Sequence, residues 1–251
     1  MQIRDSITSP LMHKAESRVV AGCIVRNSIL LQIPHTEFLA LEPHLLPVRL
    51  EIGSSLEKQH SRIQAAYFIN RGIVSKVIEM ADGRGVEVSI VGREHMTGLQ
   101  LVVGLNHLMH SLVVQVPGEG FRVSVETMKW ALKSLPELDS ALKRRLGIQS
   151  LQFAQNAACN RLHSVRQRLA RLLLLTFDRM DDPVLNTTHE FLSRMVGTDR
   201  PSISVALAKF HRLGIVSALR GSVSLVNRKK LIEQSCECYA VFKESATEIG
   251  L

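Results

Sequence analysis

The sequence lacks any apolar run of the ~20 residues that a membrane-spanning helix requires. Residues 1–5 also lack the apolar segment of a secretory signal peptide. The four cysteines, Cys23, Cys159, Cys236 and Cys238, are too scattered to form the disulfide framework of a small secreted protein. These absences predict a cytoplasmic protein with no membrane partner.

Motifs for catalysis are equally scarce. We find no Ser-His-Asp order, no convincing pair of carboxylates and no nucleotide fingerprint, so we predict no catalytic residue and no enzyme. His107 and His110 have no further metal ligands nearby, and we interpret them as exposed loop residues.

The remaining thiols do not form a strong metal motif either. The spacing of Cys236 and Cys238 is not a typical zinc spacing, and packed or plain thiols are favoured over a redox pair. Cys159 lies in an Ala-rich helical stretch and is predicted to be a small core residue. We therefore predict no metal site.

What the chain does have is apolar content and positive charge. Its 251 residues are 45% hydrophobic, enough for two domains with real cores. The formal net charge is +8, and a larger share of the Lys and Arg residues lies in the second half. Such a balance suits a polyanionic partner and predicts a nucleic-acid-binding half beside a sensing or assembly half.

The first half has the pattern of a β domain. Residues 1–35 show weak periodicity and are predicted to be a mobile, partly helical lead-in, and residues 36–46 a short helix. Short alternating segments separated by glycine turns follow, which is typical of a small sandwich or barrel. The predicted strands are 48–52, 65–69, 73–78, 86–91, 112–116 and 121–125, with turns at 70–72, 81–85 and 117–120.

After residue 125 the apolar period becomes helical. Helices are predicted over 126–134, from 138 towards 158, and over 164–179. The long helix carries an apolar stripe that could form a dimer seam or cover the β domain of its own chain; we favour the dimer. The stripe consists of Leu138, Leu142, Leu146, Phe153 and Ala157.

Residues 187–213 have the pattern of two short helices joined by a tight turn. Thr187 and Glu190 can form a capping box at the start of the first helix, and Gly197 can end it. Asp199 can cap the second helix, with Pro201 in its first turn. The predicted apolar stripe of the second helix is Ile203, Leu207, Phe210 and Leu213.

Two short strands follow directly, over 214–219 and 222–226, with Arg220 and Gly221 between them. A hairpin after a polar, basic second helix predicts a winged helix-turn-helix. The alternative is an αα-hairpin and a β-ribbon that belong to an ordinary core. The side chains left off the apolar stripe, and therefore available to DNA, include Arg200, Ser202, Ser204, Val205, Lys209 and Arg212.

This order of segments resembles the Crp/Fnr family of bacterial transcription regulators over roughly residues 36–240. The resemblance is strongest in residues 166–174 (RQRLARLLL) and 188–226. It implies an α+β fold: an N-terminal double-stranded β-helix, the jelly-roll-like β-roll of cyclic-nucleotide-binding domains, then a long dimerisation helix and a C-terminal winged helix-turn-helix. The implied divisions are a lead-in at 1–35, a sensor β-roll at 36–125, connecting helices at 126–163, the DNA-binding domain at 164–240 and a tail at 241–251.

The resemblance also implies partners and roles. A homodimer would bind a pseudo-palindromic site in double-stranded DNA, and RNA polymerase is a further candidate partner. Arg200, Ser202 and Ser204 fall where relatives present base-contacting side chains, whereas Val205 falls where several members carry Arg. We expect Lys209, Arg212 and Arg220 to contact phosphates.

The sensing half departs from the cyclic-nucleotide-binding members. Their Gly-Glu pair corresponds here to residues 97–100 (TGLQ), and their Arg-Ser pair to His110 and Ser111. A mostly neutral His is a poor substitute for a bidentate Arg, so cyclic AMP is not expected as a strong effector. With Cys23 alone at that end, an iron–sulfur cluster is not expected either, and the effector stays unassigned.

Two other function classes remain open at this point. The chain could be a small-molecule or protein-binding sensor or adaptor whose basic C-terminal half serves a protein partner. A cyclic-nucleotide-regulated enzyme is disfavoured, because no catalytic constellation exists.

Overall fold

A computed structural model describes residues 17–247. The first half is mainly strand and the second mainly helix. The strands are β1 (Val19–Val20), β2 (Cys23–Ile24), β3 (Leu46–Leu50), β4 (Ser55–Glu57), β5 (Ala65–Glu79), β6 (Gly85–Val91), β7 (Ser111–Ser124), β8 (Val184–Asn186), β9 (Val216–Leu219) and β10 (Ser222–Leu225). The helices are α1 (Ser28–Gln32), α2 (His35–Leu41), α3 (Val125–Ser134), α4 (Pro136–Leu162), α5 (Val165–Phe177), α6 (His189–Val196), α7 (Arg200–Arg212), α8 (Arg228–Gln234) and α9 (Cys238–Thr247), with 3-10 turns at Glu42–His44 and Leu99–Val103.

The β domain is built around two long antiparallel strands. β5 pairs with β7 from Ala65 opposite Ser124 to Val77 opposite Ser111, in the order β3-β7-β5-β6 with β4 also on β7. The predicted turns at 70–72 and 117–120 are therefore wrong. The chain passes both places as continuous strand, because register shifts near residues 69–74 absorb the irregular backbone.

Glycines make this close pairing possible. A Cβ on Gly118 would lie 2.1 Å from the carbonyl oxygen of Arg71, and one on Gly120 would lie 2.6 Å from that of Phe68. Neither contact is sterically possible, so these glycines allow β5 and β7 to approach each other. In the sequence the same glycines mimic a turn.

The lead-in does contain helix, as predicted, but its predicted mobility is wrong for residues 17–35; residues 1–16 lie outside the described part of the chain. Val20, Ile29 and Leu30 are buried in the core of the β domain. Asn27 caps α1 and donates from Nδ2 to the carbonyl oxygens of Ile69, at 2.8 Å, and of His95, at 2.9 Å. The segment is fixed because Asn27 satisfies backbone groups that would otherwise be buried without partners.

The first half of α4 packs on the β domain of its own chain. Leu138 and Leu142 are fully buried there. The Glu37 carboxylate accepts from the backbone N–H of Glu137 at 2.9 Å and of Leu138 at 2.8 Å, which satisfies the start of the helix. Arg145 is buried as well, and its guanidinium donates to the carbonyl oxygen of Glu94 at 3.1 Å.

Helices α5 to α9 and strands β8 to β10 form the C-terminal domain. Val77 of β5 is buried in the same apolar cluster as the core of this domain, so the two domains pack directly on each other. The predicted tail boundary at residue 241 is wrong, because α9 continues to Thr247 and Phe242 packs against the domain core. Among residues 17–247, no helix is long and apolar enough to cross a membrane.

Candidate nucleic-acid interface

The two helices of the predicted DNA-binding motif are fixed at the turn between them. Thr188 caps α6 by accepting from the N–H of Phe191 at 3.0 Å, so the predicted cap at Thr187 was one residue too early. Gly197 ends α6 in the left-handed conformation, at φ 69°. Asp199 caps α7 by accepting from the N–H of Ser202 at 2.7 Å, as predicted.

Helix α7 buries one face and exposes the other. Ile203, Leu207 and Phe210 are buried in the core of the C-terminal domain. Leu213, predicted for the same stripe, is instead 44% exposed, because it lies at the C-cap where the helical repeat ends. The buried stripe fixes the orientation of α7 and leaves its opposite face to solvent.

The exposed face of α7 carries four of the predicted DNA contacts, three cationic and one apolar. Arg200 and Arg212 are exposed and Lys209 is half-buried. Val205 lies among them and is 71% exposed. Within the described residues, the side chains of these three cations have no hydrogen-bond or ion-pair partner, so their charges are available to a ligand.

The two serines of the predicted site have partners of their own. Ser202 donates from Oγ to the Asp199 carboxylate at 2.9 Å. The Ser204 hydroxyl lies 3.1 Å from the carbonyl oxygen of Arg200 and 2.8 Å from Nδ1 of His189 on α6. Both hydroxyls therefore hold the start of α7 in place, a role that sequence spacing did not predict.

The predicted wing is confirmed as a hairpin of β9 and β10. Gly221 takes a φ of 82° at its tip, and Arg220 beside it is exposed. A third strand, β8, which was not predicted, pairs with β10 and holds the wing to the domain. Leu219 is 67% exposed at the same tip, so the wing presents one apolar and one cationic side chain to solvent.

One element near α7 was missed by the sequence reasoning. The start of α5 and the outer face of α7 line a groove of about 590 Å³ that includes Arg166, Val205 and Lys209. Ser164 caps α5 through a capping box with Gln167. Arg166 belongs to the motif that carries the family resemblance, but only the fold places it beside α7.

The helix-turn-helix also contacts the β domain. Arg194 of α6 lies 2.6 Å from a carboxylate oxygen of Glu79, where β5 ends. A Cβ on Gly197 would lie 2.9 Å from a methyl group of Val86 in β6. The turn before α7 thus rests on the hairpin formed by β5 and β6, which is a direct physical connection between the two domains.

A buried ion pair forms the second connection. Nε of Arg179 lies 2.5 Å from a carboxylate oxygen of Glu94, with side-chain exposures of 16% and 5%. Burial opposes ionisation of Glu94, but the charge of Arg179, the field of His95 and the hydrogen bonds to the carboxylate together outweigh it and hold the pKa of Glu94 below its ordinary value. The pair is therefore charged at neutral pH.

One of the two histidines predicted to be exposed in the β domain is buried instead. His107 is exposed as predicted, but His110 is only 5% exposed. Burial lowers the pKa of His110 to about 3, so it is neutral. Its Nε2 has no hydrogen-bond partner within the described residues. A neutral His110 does not offer the charge that Arg provides for a cyclic phosphate.

A cluster of sulfur and imidazole side chains lies where α4 ends. It was not predicted, because its members are separated by up to 79 positions. As expected, Cys159 is buried, but so are Cys236 and Cys238, and His163 lies beside them. Only the packing of α9 against α4 brings the four together.

Comparisons with known proteins agree with this architecture. A family model described as the Crp-like helix-turn-helix domain matches residues 167–234. No curated protein matches the sequence of the chain.

Solved structures share the fold at low sequence identity. FixK2 from Bradyrhizobium japonicum matches with a TM-score of 0.66 and 14% identity, over 76% of this chain and 98% of that one. A putative Crp/Fnr-family regulator from Eubacterium rectale matches with a TM-score of 0.64 and 15% identity, over 80% and 94%. The c-di-GMP-responsive global regulator CLP of Xanthomonas campestris matches with a TM-score of 0.60 and 20% identity, over 76% and 96%.

The domain match covers the helix-turn-helix and its wing, and the solved structures extend the likeness in fold to the β domain and the long helix. The predicted α+β architecture, a β-roll followed by a winged helix-turn-helix, is thereby confirmed. Residues 167–234 therefore match a Crp-like helix-turn-helix domain, and the whole chain is similar in fold to solved Crp/Fnr-family regulators.

Proposed function

We propose that the chain is a sequence-specific DNA-binding regulator that binds a pseudo-palindromic site as a homodimer. The observation that carries this proposal is the outer face of α7. Its cations have no partners within the described residues, and the helix beneath them is fixed by a buried stripe and by the Asp199 cap. A rigid helix with free basic side chains fits the major groove.

Each side chain of this face has a distinct proposed role. Arg200 contacts a base edge at the start of α7, and Val205 packs on a thymine methyl group. Lys209, Arg212 and the wing residue Arg220 neutralise phosphates. Arg166 joins them from the neighbouring α5.

We assign the two serines a positioning role within this interface. Ser202 and Ser204 were predicted to contact bases, but their hydroxyls already bond to Asp199 and to His189. They set the height and rotation of the first turn of α7, from which Arg200 extends.

The proposed dimer seam is the second half of α4. Leu138 and Leu142 pack on the β domain of their own chain, so they are not available to a partner. Leu151 and Leu162 are 69% and 75% exposed, and small exposed residues lie between them at helical spacing. Two such helices can pack closely, and pairing them would bury both leucines. Light scattering should show a dimer at micromolar concentration, and a Leu151→Glu chain should be a monomer.

The proposed regulator does not use cyclic AMP as a strong effector. The support is the neutral, buried His110 at the position where an Arg would be required. Calorimetric titration should show no binding at micromolar cyclic AMP. A dissociation constant in or below that range would contradict this part of the proposal.

The proposal is tested by selection from a pool of random duplexes, followed by fluorescence anisotropy on the selected site. Arg200→Ala should cost ~1–3 kcal/mol on the selected site and relax its specificity. Arg220→Ala should weaken binding to selected and random duplexes alike. Arg49→Ala, which removes an exposed charge from β3 of the β domain, is the matched control and should change neither.

Equal losses on selected and random duplexes for Arg200→Ala would refute its base contact. A selection from random duplexes that enriches no common sequence motif would refute sequence-specific binding. It would instead favour the adaptor alternative, in which the basic half serves a protein partner.

A further inference from the structure

The cluster where α4 meets α9 consists of Cys159, His163, Cys236 and Cys238. One ligand atom from each residue lies within 4.8 Å of every other. The Sγ atoms of Cys159 and Cys236 are 3.6 Å apart, and Sγ of Cys238 is 3.6 Å from Nδ1 of His163. The three sulfurs are buried, and the His163 side chain is 17% exposed.

The two 3.6 Å separations match those of a tetrahedral metal site. With Zn–S near 2.3 Å and Zn–N near 2.05 Å, a tetrahedron places two sulfurs about 3.8 Å apart and a sulfur and a nitrogen about 3.6 Å apart. A disulfide bond between Cys159 and Cys236 would require their sulfurs to approach to about 2.05 Å. It would also leave Cys238 and His163 facing each other with no shared role.

The surroundings of the cluster fit a metal as well. His163 turns Nδ1 towards the sulfurs, while its Nε2 lies 3.1 Å from the Glu237 carboxylate. A carboxylate on the second nitrogen keeps the proton there and leaves the lone pair of Nδ1 free for a metal. Gln155 donates from Nε2 to Sγ of Cys238 at 3.0 Å, a bond that suits a thiolate.

We propose that Cys159, His163, Cys236 and Cys238 bind one Zn²⁺ ion in a tetrahedral Cys3His site. The three thiols lose their protons to solvent as the ion binds, and the neutral imidazole contributes its lone pair. The loaded site carries one net negative charge. Arg168 and Arg171 of α5 interact electrostatically with Cys159, and they supply the counter-charge.

The position of the site gives it a consequence for the fold. Cys159 and His163 lie where α4 ends, directly before the junction at Ser164 that leads into α5. Cys236 lies in the connection between α8 and α9, and Cys238 is the first residue of α9. The ion therefore fixes the C-terminal end of α4 to the last helix of the DNA-binding domain, and it restricts the angle at the α4–α5 junction. Glu237, 74% exposed, marks the side from which the ion enters.

The test uses the full chain, reduced and stripped of metal, titrated with Co²⁺ as a spectroscopic substitute for Zn²⁺. We expect one equivalent to bind, with the intense absorption of tetrahedral Co²⁺ and a thiolate-to-cobalt charge-transfer band, and Zn²⁺ to displace it. Zn²⁺ should protect three of the four thiols from alkylation and leave Cys23 reactive. Cys23→Ser is the matched control and should bind like the native chain.

Two kinds of variant separate ligation from folding. Cys236→Ser and Cys238→Ser should abolish the charge-transfer band of the tetrahedral site. Glu237→Gln changes an exposed side chain and should leave the fold intact, yet weaken metal binding by about 10–100-fold.

Three results would overturn the proposal. The first is a reduced native chain that binds no Co²⁺. The second is a Cys236→Ser spectrum equal to that of Cys23→Ser. The third is a Glu237→Gln affinity equal to the native value.

Discussion

The buried pair of Glu94 and Arg179 should be the strongest single polar connection between the two domains. Glu94→Gln keeps the size of the side chain but leaves the Arg179 guanidinium without its counter-charge. Breaking a buried ion pair in this way costs about 3–5 kcal/mol. We expect a loss near the lower limit, because Arg179 keeps its 2.8 Å hydrogen bond to the carbonyl oxygen of Leu175 and is 16% exposed.

The chain provides its own control for this change. Glu79 and Arg194 form an interdomain pair of the same type at 2.6 Å, but their side chains are 48% and 46% exposed. An exposed pair of this kind contributes at most about 1 kcal/mol. Glu79→Gln should therefore cost much less than Glu94→Gln, although both remove one carboxylate from the same domain boundary.

Urea unfolding measures both losses. Fluorescence of Trp130, the single tryptophan, follows the β domain, and circular dichroism follows the helices. Because the pKa of Glu94 is depressed, its stabilisation is complete at neutral pH and is lost as the pH falls through the folded-state pKa. The difference between native and Glu94→Gln chains should shrink in acid. Equal losses for Glu94→Gln and Glu79→Gln at pH 7 would refute the reasoning.

Two further changes should separate local effects. Gly197→Ala should lower the midpoint of denaturant unfolding more than Gly83→Ala does. Both glycines have positive φ, at 69° and 80°, so both changes strain the backbone. Only the new Cβ at position 197 would also meet Val86, at 2.9 Å, because a Cβ at position 83 has nothing within 4 Å. Equal losses would show that the contact with Val86 is unimportant. Burial lowers the pKa of Lys76 to about 7. Between that pH and about 10, the unfolded chain binds more protons than the folded chain, so the free energy of unfolding should rise with pH over this window. The rise should be smaller in Lys76→Met, which has no amine to titrate. An equal dependence of unfolding free energy on pH in the native and Lys76→Met chains would contradict the lowered pKa of Lys76.

The helical half of the molecule follows closely from local sequence signals. The Asp199 cap, the Gly197 stop and the stripe of Ile203, Leu207 and Phe210 are set by contacts within a few positions, so their spacing is sufficient to predict α7. The same is true of the wing, since its turn is fixed by Arg220 and Gly221.

The β half could not be predicted to the same degree, because its irregularities depend on distant partners. Gly118 and Gly120 have the local composition of a turn, and only the neighbouring strands show that they permit close pairing. Asn27 gives no local sign that it will bond to the backbone of Ile69 and His95.

The candidate sites divide in the same way. The cations on α7 follow from helical periodicity, and the structure places Arg200 and Arg212 in solvent and Lys209 half-buried beside them. The partners of Ser202 and Ser204 depend on side-chain rotamers, which sequence spacing does not predict. The cluster around Cys159 depends on the packing of two helices far apart in sequence.

The central claim is that a pair of α7 helices enters successive major grooves of one DNA site. Methylation interference at guanine N7 on the selected duplex tests it most directly, because N7 faces the major groove. We predict two patches of interference, related by two-fold symmetry and centred about 10 base pairs apart. A single patch, or no interference at any guanine of a guanine-containing selected site, would contradict the claim.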